Sequence, residues 1–316
     1  MEQIVVVDKF TFSELPKKAI YIVDDFFKDS IKDENLKIIY VKGGESLKEW
    51  DELYKILEKL FLLNADRDTT LVAIGGGTVL DFVGLTAGLF MRGIDHIFIP
   101  TTLLAMADAS VGGKCAINFL DRKNQVGIFK QAQKIILDFN FLDTLQRQQL
   151  SDGLVEILKI FLLLDKDYAY DLIDNILKGK DIDYKRIVNR AIDLKKEVTR
   201  KDMLDKGIRN ILNFGHTIGH AIESYFNYKL SHGMCVLLGM INETKFFKNL
   251  EVSKLLEEIF VKLYFDNPNN IDFNNKELEK FILNDKKKIN DEVMMVDLIN
   301  IGCFKQKMVR LEDLCR

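Results

Sequence analysis

Three of the four histidines, His216, His220 and His232, fall within one short stretch. It reads Arg209-Asn-Ile-Leu-Asn-Phe-Gly-His-Thr-Ile-Gly-His-Ala-Ile-Glu223, then Leu230-Ser-His-Gly233. Taken as one helix, Arg209, Asn213, His216 and His220 occupy i, i+4, i+7 and i+11, a single polar stripe. Ile211, Leu212, Phe214, Ile218 and Ile222 cover much of the remaining circumference. A helix that is apolar nearly all round belongs in the interior, where its polar groups require partners. The stripe is therefore expected to face a metal, a substrate or its own members. Two imidazoles at i, i+4 can offer nitrogens on one side of a helix, and a divalent ion can use one or both. A catalytic zinc keeps an open position, so three protein ligands are expected. The plainer alternative is a buried histidine pair bonded to main-chain carbonyls. Gly215 and Gly219 cost a helix about 1 kcal/mol each. That cost implies close approach of another backbone or a ligand.

Three further groups carry chemistry. Leu71-Val-Ala-Ile-Gly-Gly-Gly-Thr-Val-Leu-Asp81 is an apolar strand entering a glycine triplet and then a helix. Such a turn lets a phosphate reach main-chain N–H groups at a helix N-terminus, although it lacks the GxGxxG spacing, and a plain tight turn would also explain it. Pro100-Thr-Thr-Leu-Leu-Ala-Met-Ala-Asp-Ala-Ser-Val-Gly-Gly-Lys114 gathers hydroxyls, a carboxylate and a lysine in a loop too apolar for full exposure, with Lys123-Asn124 just beyond. Glu156 and Lys159 lie at i, i+3 on an otherwise Leu-, Val-, Ile- and Phe-rich helix, where an ion pair would be buried.

The elements that must position these groups divide the chain in two. Residues 1–150 alternate β-branched runs with helical patterns: Ile4–Val7, Ala19–Val23, Lys37–Val41, Thr70–Ile74, His96–Ile99 and Lys134–Asp138, with helices over Leu47–Leu63 and Val79–Met91. Strand–helix alternation predicts an α/β, Rossmann-like domain with a parallel sheet. Residues 151–316 predict a mostly α-helical domain: Gly153–Leu164, Ala169–Leu177, Tyr184–Thr199, Ile208–Tyr225, Gly233–Asn249 and Lys254–Leu263, closed by a β-like piece over Val293–Ile301. The 316 residues are 47% hydrophobic with net charge −3, which argues against nucleic acid or an anionic membrane as the main partner. Cys115, Cys235, Cys303 and Cys315 are widely spaced, as reduced thiols of a cytoplasmic protein would be. The N-terminus shows no basic-then-apolar signal pattern. The apolar run Leu71–Met91 contains Asp81 and reads as a buried strand and helix, not a membrane span.

Gly-Gly-Gly-Thr-Val-Leu-Asp81, Arg92-Gly93, Pro100-Thr-Thr-Leu-Leu-Ala, Asp108-Ala-Ser-Val-Gly-Gly-Lys114, Lys123-Asn124, Glu156-x-x-Lys159, Asn213-Phe-Gly-His-Thr-x-Gly-His-Ala-Ile-Glu223 and His232-Gly233 together resemble 3-dehydroquinate synthase, a sugar phosphate cyclase family. The matches run in family order from about Glu45 to Gly233, and continue weakly to Gly302. The resemblance implies zinc, or cobalt, on Glu156, His216 and His232. It implies a substrate pocket lined by Asp108, Lys114, Asn124, Lys159, Lys195, Arg209, Asn213 and His220. Here it departs from spacing, which suggested a zinc ligand at His220. It implies NAD held by Glu45, Lys48, Gly75, Gly76, Gly77, Asp81, Thr101, Thr102, Lys123 and Thr144, and a homodimer in which Arg92 reaches a partner's pocket.

The implied reaction belongs to the shikimate pathway. A ring hydroxyl of 3-deoxy-arabino-heptulosonate 7-phosphate is oxidised by bound NAD, phosphate is eliminated, the ketone is reduced back, and the ring opens and recloses. Zinc suits the hydroxyl and ketone oxygens as a Lewis acid, and Arg209 suits the substrate carboxylate through a bidentate fork. The chain departs from the family at Met294, where a phosphate-contacting lysine is usual, with Lys286 to Lys288 nearby. Phe27 replaces a common adenosine-contacting asparagine, Gln146 a frequent proline, and Lys130-Gln-Ala132 an aromatic-Gln-Pro. Asp24 and Asp25 are both candidates for the ribose. The alternatives are a cyclase acting on a sedoheptulose 7-phosphate-like sugar, a metal-dependent polyol dehydrogenase, and a catalytically silent binding protein. Arg209, Asn213 and His220 favour a carboxylated substrate.

Overall fold

The computed structural model describes residues 2–120, 122–264, 266–271, 278, 281 and 292–314. They form two compact units, Met1–Leu145 and Gln146–Arg316.

The first unit is built on a six-stranded sheet of β1 (Gln3–Val7), β2 (Ala19–Asp24), β3 (Lys37–Val41), β4 (Thr70–Gly75), β5 (His96–Pro100) and β8 (Lys134–Asp138). The order is β1-β8-β5-β4-β2-β3, and every pairing is parallel. A parallel sheet is covered on both faces, so its strands are continuously apolar rather than alternating. β4 shows this, with all six residues buried. The chain leaves β2 outward to β3 and leaves β4 outward to β5, so the order reverses between β2 and β4. In such sheets ligands bind beyond the carboxyl ends of the strands at that reversal. Two helices belong here, α1 (Trp50–Leu62) and α2 (Gly77–Leu89). The six expected strands all appear in this sheet.

A seventh and eighth β segment were not expected. β6 (Lys114–Phe119) and β7 (Arg122–Phe129) pair antiparallel, with a register shift between Ile117 and Phe119. Their sequence does not alternate cleanly, because the irregular register moves side chains between faces. This hairpin carries Lys114, which the sequence placed in a loop, and Lys123 and Asn124, which it placed just beyond that loop.

The second unit contains α3 (Arg147–Leu164), α4 (Lys166–Lys178), α5 (Tyr184–Lys201), α6 (His216–Tyr225), α7 (His232–Phe246) and α8 (Leu250–Tyr264). A hairpin of β9 (Glu292–Asn300) and β10 (Cys303–Arg310) follows. α3 begins six residues ahead of the expected Gly153. Gln146 and Gln149 form a reciprocal capping box there, in which the Gln146 N–H donates to Gln149 Oε1 at 2.9 Å. A proline at 146 could not donate that bond. No helix among the described residues is long and apolar enough to cross a membrane.

The fourth histidine, His96, lies in β5, 1% exposed, with neither ring nitrogen hydrogen-bonded. Burial, with Lys130 adding to it, pushes its pKa down to about 3. The neutral ring is thus native, whereas the unfolded chain takes a proton below pH ~6.5. Stability should fall as pH drops through the window from about 6.5 towards 3, by up to ~1.4 kcal/mol per unit. His96→Leu should lose that component. In urea unfolding, the wild type should lose roughly 2 kcal/mol relative to His96→Leu between pH 7.5 and 5. Parallel pH profiles for the two proteins would refute this.

Candidate metal centre and nucleotide site

The chemistry of the second unit centres on Glu156, on α3 and 1% exposed. Its Oε2 accepts from Lys159 Nζ, one turn further on, at 2.5 Å. Its Oε1 has no hydrogen bond, yet His216 Nε2 lies 3.5 Å and His232 Nε2 3.4 Å away. A buried carboxylate oxygen without a hydrogen bond is costly unless something else takes the lone pairs. Two imidazole nitrogens converging on it make a set of the right kind for a divalent cation, and Glu156, His216 and His232 offer ligand atoms within 4.8 Å of one another. Burial opposes ionisation of Glu156, but Lys159 and His232 outweigh it and hold the pKa below the usual carboxylate range. For His232 burial opposes the charge, while Glu156 and Glu223 outweigh it and raise the pKa.

The single polar stripe expected from Arg209 to His220 is not one helix. Ile208–Asn213 is a 3-10 turn, Gly215 takes a left-handed conformation (φ 77°), and α6 starts only at His216. The tertiary contacts explain the break: the Gly215 N–H donates to the buried carboxylate of Glu243 on α7 at 3.0 Å. Only His216 and His220 share α6, with ring centroids 5.3 Å apart. Arg209 and Asn213 sit on the preceding turn, where Arg209 is 2% exposed and donates from Nη1 to the Met203 carbonyl at 2.9 Å. The glycines serve backbone approach. A Cβ on Gly219 would lie 2.8 Å from the Cys235 carbonyl oxygen, and one on Gly239 would lie 1.9 Å from that of Gly215. Lys159 and Lys195 are buried in the same unit.

In the first unit, β4 ends at Gly75 and α2 begins at Gly77 with no side-chain cap on its first N–H groups. Room, not conformation, requires glycine at 75: a Cβ would lie 2.8 Å from the Val79 side chain. The Thr101 N–H donates to the Gly75 carbonyl at 3.0 Å, and Thr102 Oγ1 accepts from the Ala105 N–H at 3.2 Å. Lys48, nearly fully buried, donates to Asp81 at 2.6 Å and also to Asn124 Oδ1. Glu45 faces Lys123 at 3.3 Å and accepts from Asn118 at 2.9 Å. Burial works against Glu45, but these partners lower its pKa. Five expected nucleotide-binding or substrate residues thus join in one polar network, with Asn118 as a member the sequence did not single out.

Thr144 sits apart, exposed and donating to the Phe141 carbonyl at 2.7 Å. Asp108 lies in a π-turn, Ala105–Ala109, and Lys114 is exposed at the start of β6. Arg92 is exposed just past α2, and both it and Met91 have positive φ (71° and 48°). Asp24 ends β2, half-buried, with its pKa raised by burial, whereas Asp25 is exposed. Phe27 is a core residue packed edge-on to Phe141. Met294 lies in β9 opposite Met308. Lys286 to Lys288 lie outside the described residues. Glu223, 3.7 Å from His232, and Glu243, which accepts from the Gly215 N–H, are both buried and were not among the expected site residues. Their signal was a carboxylate seven residues after His216, and another on an apolar helix eleven residues after His232.

The fold is that of the sugar phosphate cyclases. A structure of 2-deoxy-scyllo-inosose synthase complexed with carbaglucose-6-phosphate, NAD+ and Co2+ superposes with a TM-score of 0.84 at 24% identity, covering 98% of this chain and 94% of that one. 2-Epi-5-epi-valiolone synthase from Streptomyces hygroscopicus subsp. jinggangensis 5008, with NAD+ and Zn2+ bound, gives 0.85 at 21% identity, covering 99% and 94%. Within that class the chain belongs to the 3-dehydroquinate synthase family. The family models for the N-terminal and C-terminal parts of 3-dehydroquinate synthase match residues 38–152 and 153–288. The 3-dehydroquinate synthase of Sulfolobus acidocaldarius is 34% identical over 315 residues, 94% of this chain and 89% of the relative.

The backbone seam between α6 and α7 sets the distance from His216 to His232. Gly239→Ala should cost about 1–3 kcal/mol by overpacking and lower Tm by roughly 2–10 °C. It should also reduce zinc uptake, read by calorimetric titration of the metal-free protein. Unchanged Tm and uptake would show that the seam tolerates a side chain.

Proposed function

We propose that this chain is a 3-dehydroquinate synthase, converting 3-deoxy-arabino-heptulosonate 7-phosphate to 3-dehydroquinate and phosphate. The observation that carries the reading, beside family membership, is the buried Glu156 oxygen without a hydrogen bond, approached by two imidazoles. Glu156, His216 and His232 would hold zinc or cobalt. When bound, the metal acts as a Lewis acid on substrate oxygens and NAD carries the hydride out and back. The uncapped N–H groups at the start of α2 suit the dinucleotide pyrophosphate, favoured by the helix dipole. Gly75, Gly76 and Gly77 admit it, with Thr101, Thr102, Thr144 and the Glu45–Lys48–Asp81–Lys123 network as the remaining contacts. Asp24 is the ribose ligand in this reading, because it ends one of the two strands where the order reverses.

Asp108, Lys114, Asn124, Lys159, Lys195, Arg209, Asn213 and His220 are proposed to contact substrate. Lysines and an asparagine suit a phosphate dianion, and Arg209 offers parallel N–H groups to a carboxylate. Incubation with zinc, NAD+ and the heptulosonate phosphate should yield 3-dehydroquinate and phosphate without accumulating NADH. Stoichiometric NADH would indicate a polyol dehydrogenase instead. Arg209→Ala should lose about 3–5 kcal/mol of binding to the carboxylate, hence roughly two to four decades in kcat/KM. Any turnover of sedoheptulose 7-phosphate should hardly change. Preference of the unmodified protein for sedoheptulose 7-phosphate would overturn the assignment.

We further propose a cytoplasmic homodimer in which Arg92 serves the partner's pocket. α2 spans about 20 Å from its glycine start to its end just before Arg92. Arg92 is exposed and, like Met91, takes a left-handed conformation, and strain of this kind clusters at functional positions. Beside it, Phe90 packs at a tilt against Phe61 of α1, whose Trp50, Tyr54, Phe61 and Leu62 are exposed apolar groups of the kind an interface covers. Mixing inactive Arg92→Ala with inactive His216→Ala should restore activity in heterodimers. No recovery after verified subunit exchange would refute sharing.

A further inference from the structure

His232 is flanked by two carboxylates. Its Nε2 points at Glu156, as described, while its Nδ1 lies 3.7 Å from Oε1 of Glu223, a glutamate 4% exposed on α6. His216 has the same arrangement with a different acceptor. Its Nε2 also points at Glu156, and its Nδ1 lies 3.2 Å from the Phe214 carbonyl oxygen. Each ring therefore has an oxygen facing Nδ1, at hydrogen-bond distance for His216 and slightly beyond it for His232, and both present Nε2 to one buried oxygen. An imidazole that ligates a cation through Nε2 retains only its Nδ1 proton, and an acceptor facing Nδ1 holds that proton and the ring in place.

We infer that Glu223 is the positioning residue of the metal centre: it holds His232 in the tautomer and orientation that let Nε2 bind the cation, without ligating it. The inference rests on the metal reading proposed above. His220, Glu223 and His232 also offer three ligand atoms within 4.8 Å of one another, which sets up a direct alternative. Two features favour positioning. The Nε2 atoms of His216 and His232, on two different helices, converge on the same Oε1 of Glu156, 3.5 and 3.4 Å away. The nitrogen of His232 that faces Glu223 is Nδ1, on the opposite side of the ring from that convergence. Carboxylates behind ligating histidines raise ligand basicity and fix ring orientation, and losing one costs about 10–100-fold in affinity or activity.

The same geometry explains the sequence spacing. Glu223 follows His216 by seven residues and His220 by three, so all three share one face of α6. The seam of Gly215, Gly219 and Gly239 brings that face to the first residue of α7, which is His232.

The test titrates the full-length, metal-free protein with Zn2+ by calorimetry and with Co2+ by visible absorption. Glu223→Gln keeps the shape and a weaker acceptor, and should bind about tenfold more weakly. Glu223→Ala, lacking any acceptor, should approach about 100-fold. At saturating Co2+ the d–d bands of both variants should shift, a signature that a merely structural role would not produce. Thermal melts of the metal-free proteins separate folding loss from metal effects, and Glu223→Gln covers the case in which Glu223→Ala does not fold. Affinity within twofold of the unmodified protein, with an unshifted Co2+ spectrum, would overturn the inference. Glu156→Gln, run in parallel, separates it from the metal reading itself. If Glu156→Gln abolishes binding while the Glu223 variants bind normally, only the positioning role fails. If Glu156→Gln binds normally and the Glu223 variants do not bind, the metal sits on the other triad and both fail.

Discussion

A carboxylate in an apolar interior is the constraint on which the second unit depends. Taking such a charge out of water costs several kcal/mol even after relaxation. Glu156 is held ionised there by Lys159 on one oxygen and by two histidines near the other. Each partner comes with its own requirement. Lys159 is available because it lies one turn along the same helix. His216 is available because the chain breaks at Gly215 and restarts α6 at that residue. His232 is available because α7 packs on α6 closely enough to bring its first turn over. The apolar character of α3, the glycines of α6 and α7 and the buried Glu243 that holds the break all follow from one charge that must not be left alone.

The first unit solves a different problem with different means. In the proposed function it supplies an anion site at a helix start, and stopping β4 at a residue without a side chain leaves the room for one. The neighbouring charges form a fixed network in which Lys48 joins Asp81 to Asn124 and Lys123 joins Glu45. A 3-10 turn, helix α2 and a hairpin meet in that network, so it organises backbone as well as charge.

The sheet was legible in the sequence because its strands are apolar on both faces and bounded by turn residues. Ala19–Val23 and Lys37–Val41 needed no tertiary information. The β6–β7 hairpin was not legible. Its register shift disturbs the alternation that marks a strand, and its charged residues resemble a loop. In the second unit the histidine spacing pointed correctly to a cluster, but the spacing logic assumed one continuous helix. The break at Gly215 depends on a hydrogen bond to Glu243, twenty-eight residues away, which local periodicity does not encode. The third partner of the cluster, Glu156, lies sixty residues before His216. Helical spacing relates it only to Lys159, and the resemblance was needed to bring it to the histidines.

The seam between α6 and α7 is made of main chain on both sides. Where side chains fill an interface, a larger residue on one helix can be offset by a smaller one opposite, and the pair drifts through many combinations. Main chain has no such alternatives. The outer faces of these helices can therefore accept stepwise replacement while the spacing across the seam stays the same. The two imidazoles are consequently borne on a stiff frame whose dimensions were set once and cannot be adjusted a methylene at a time.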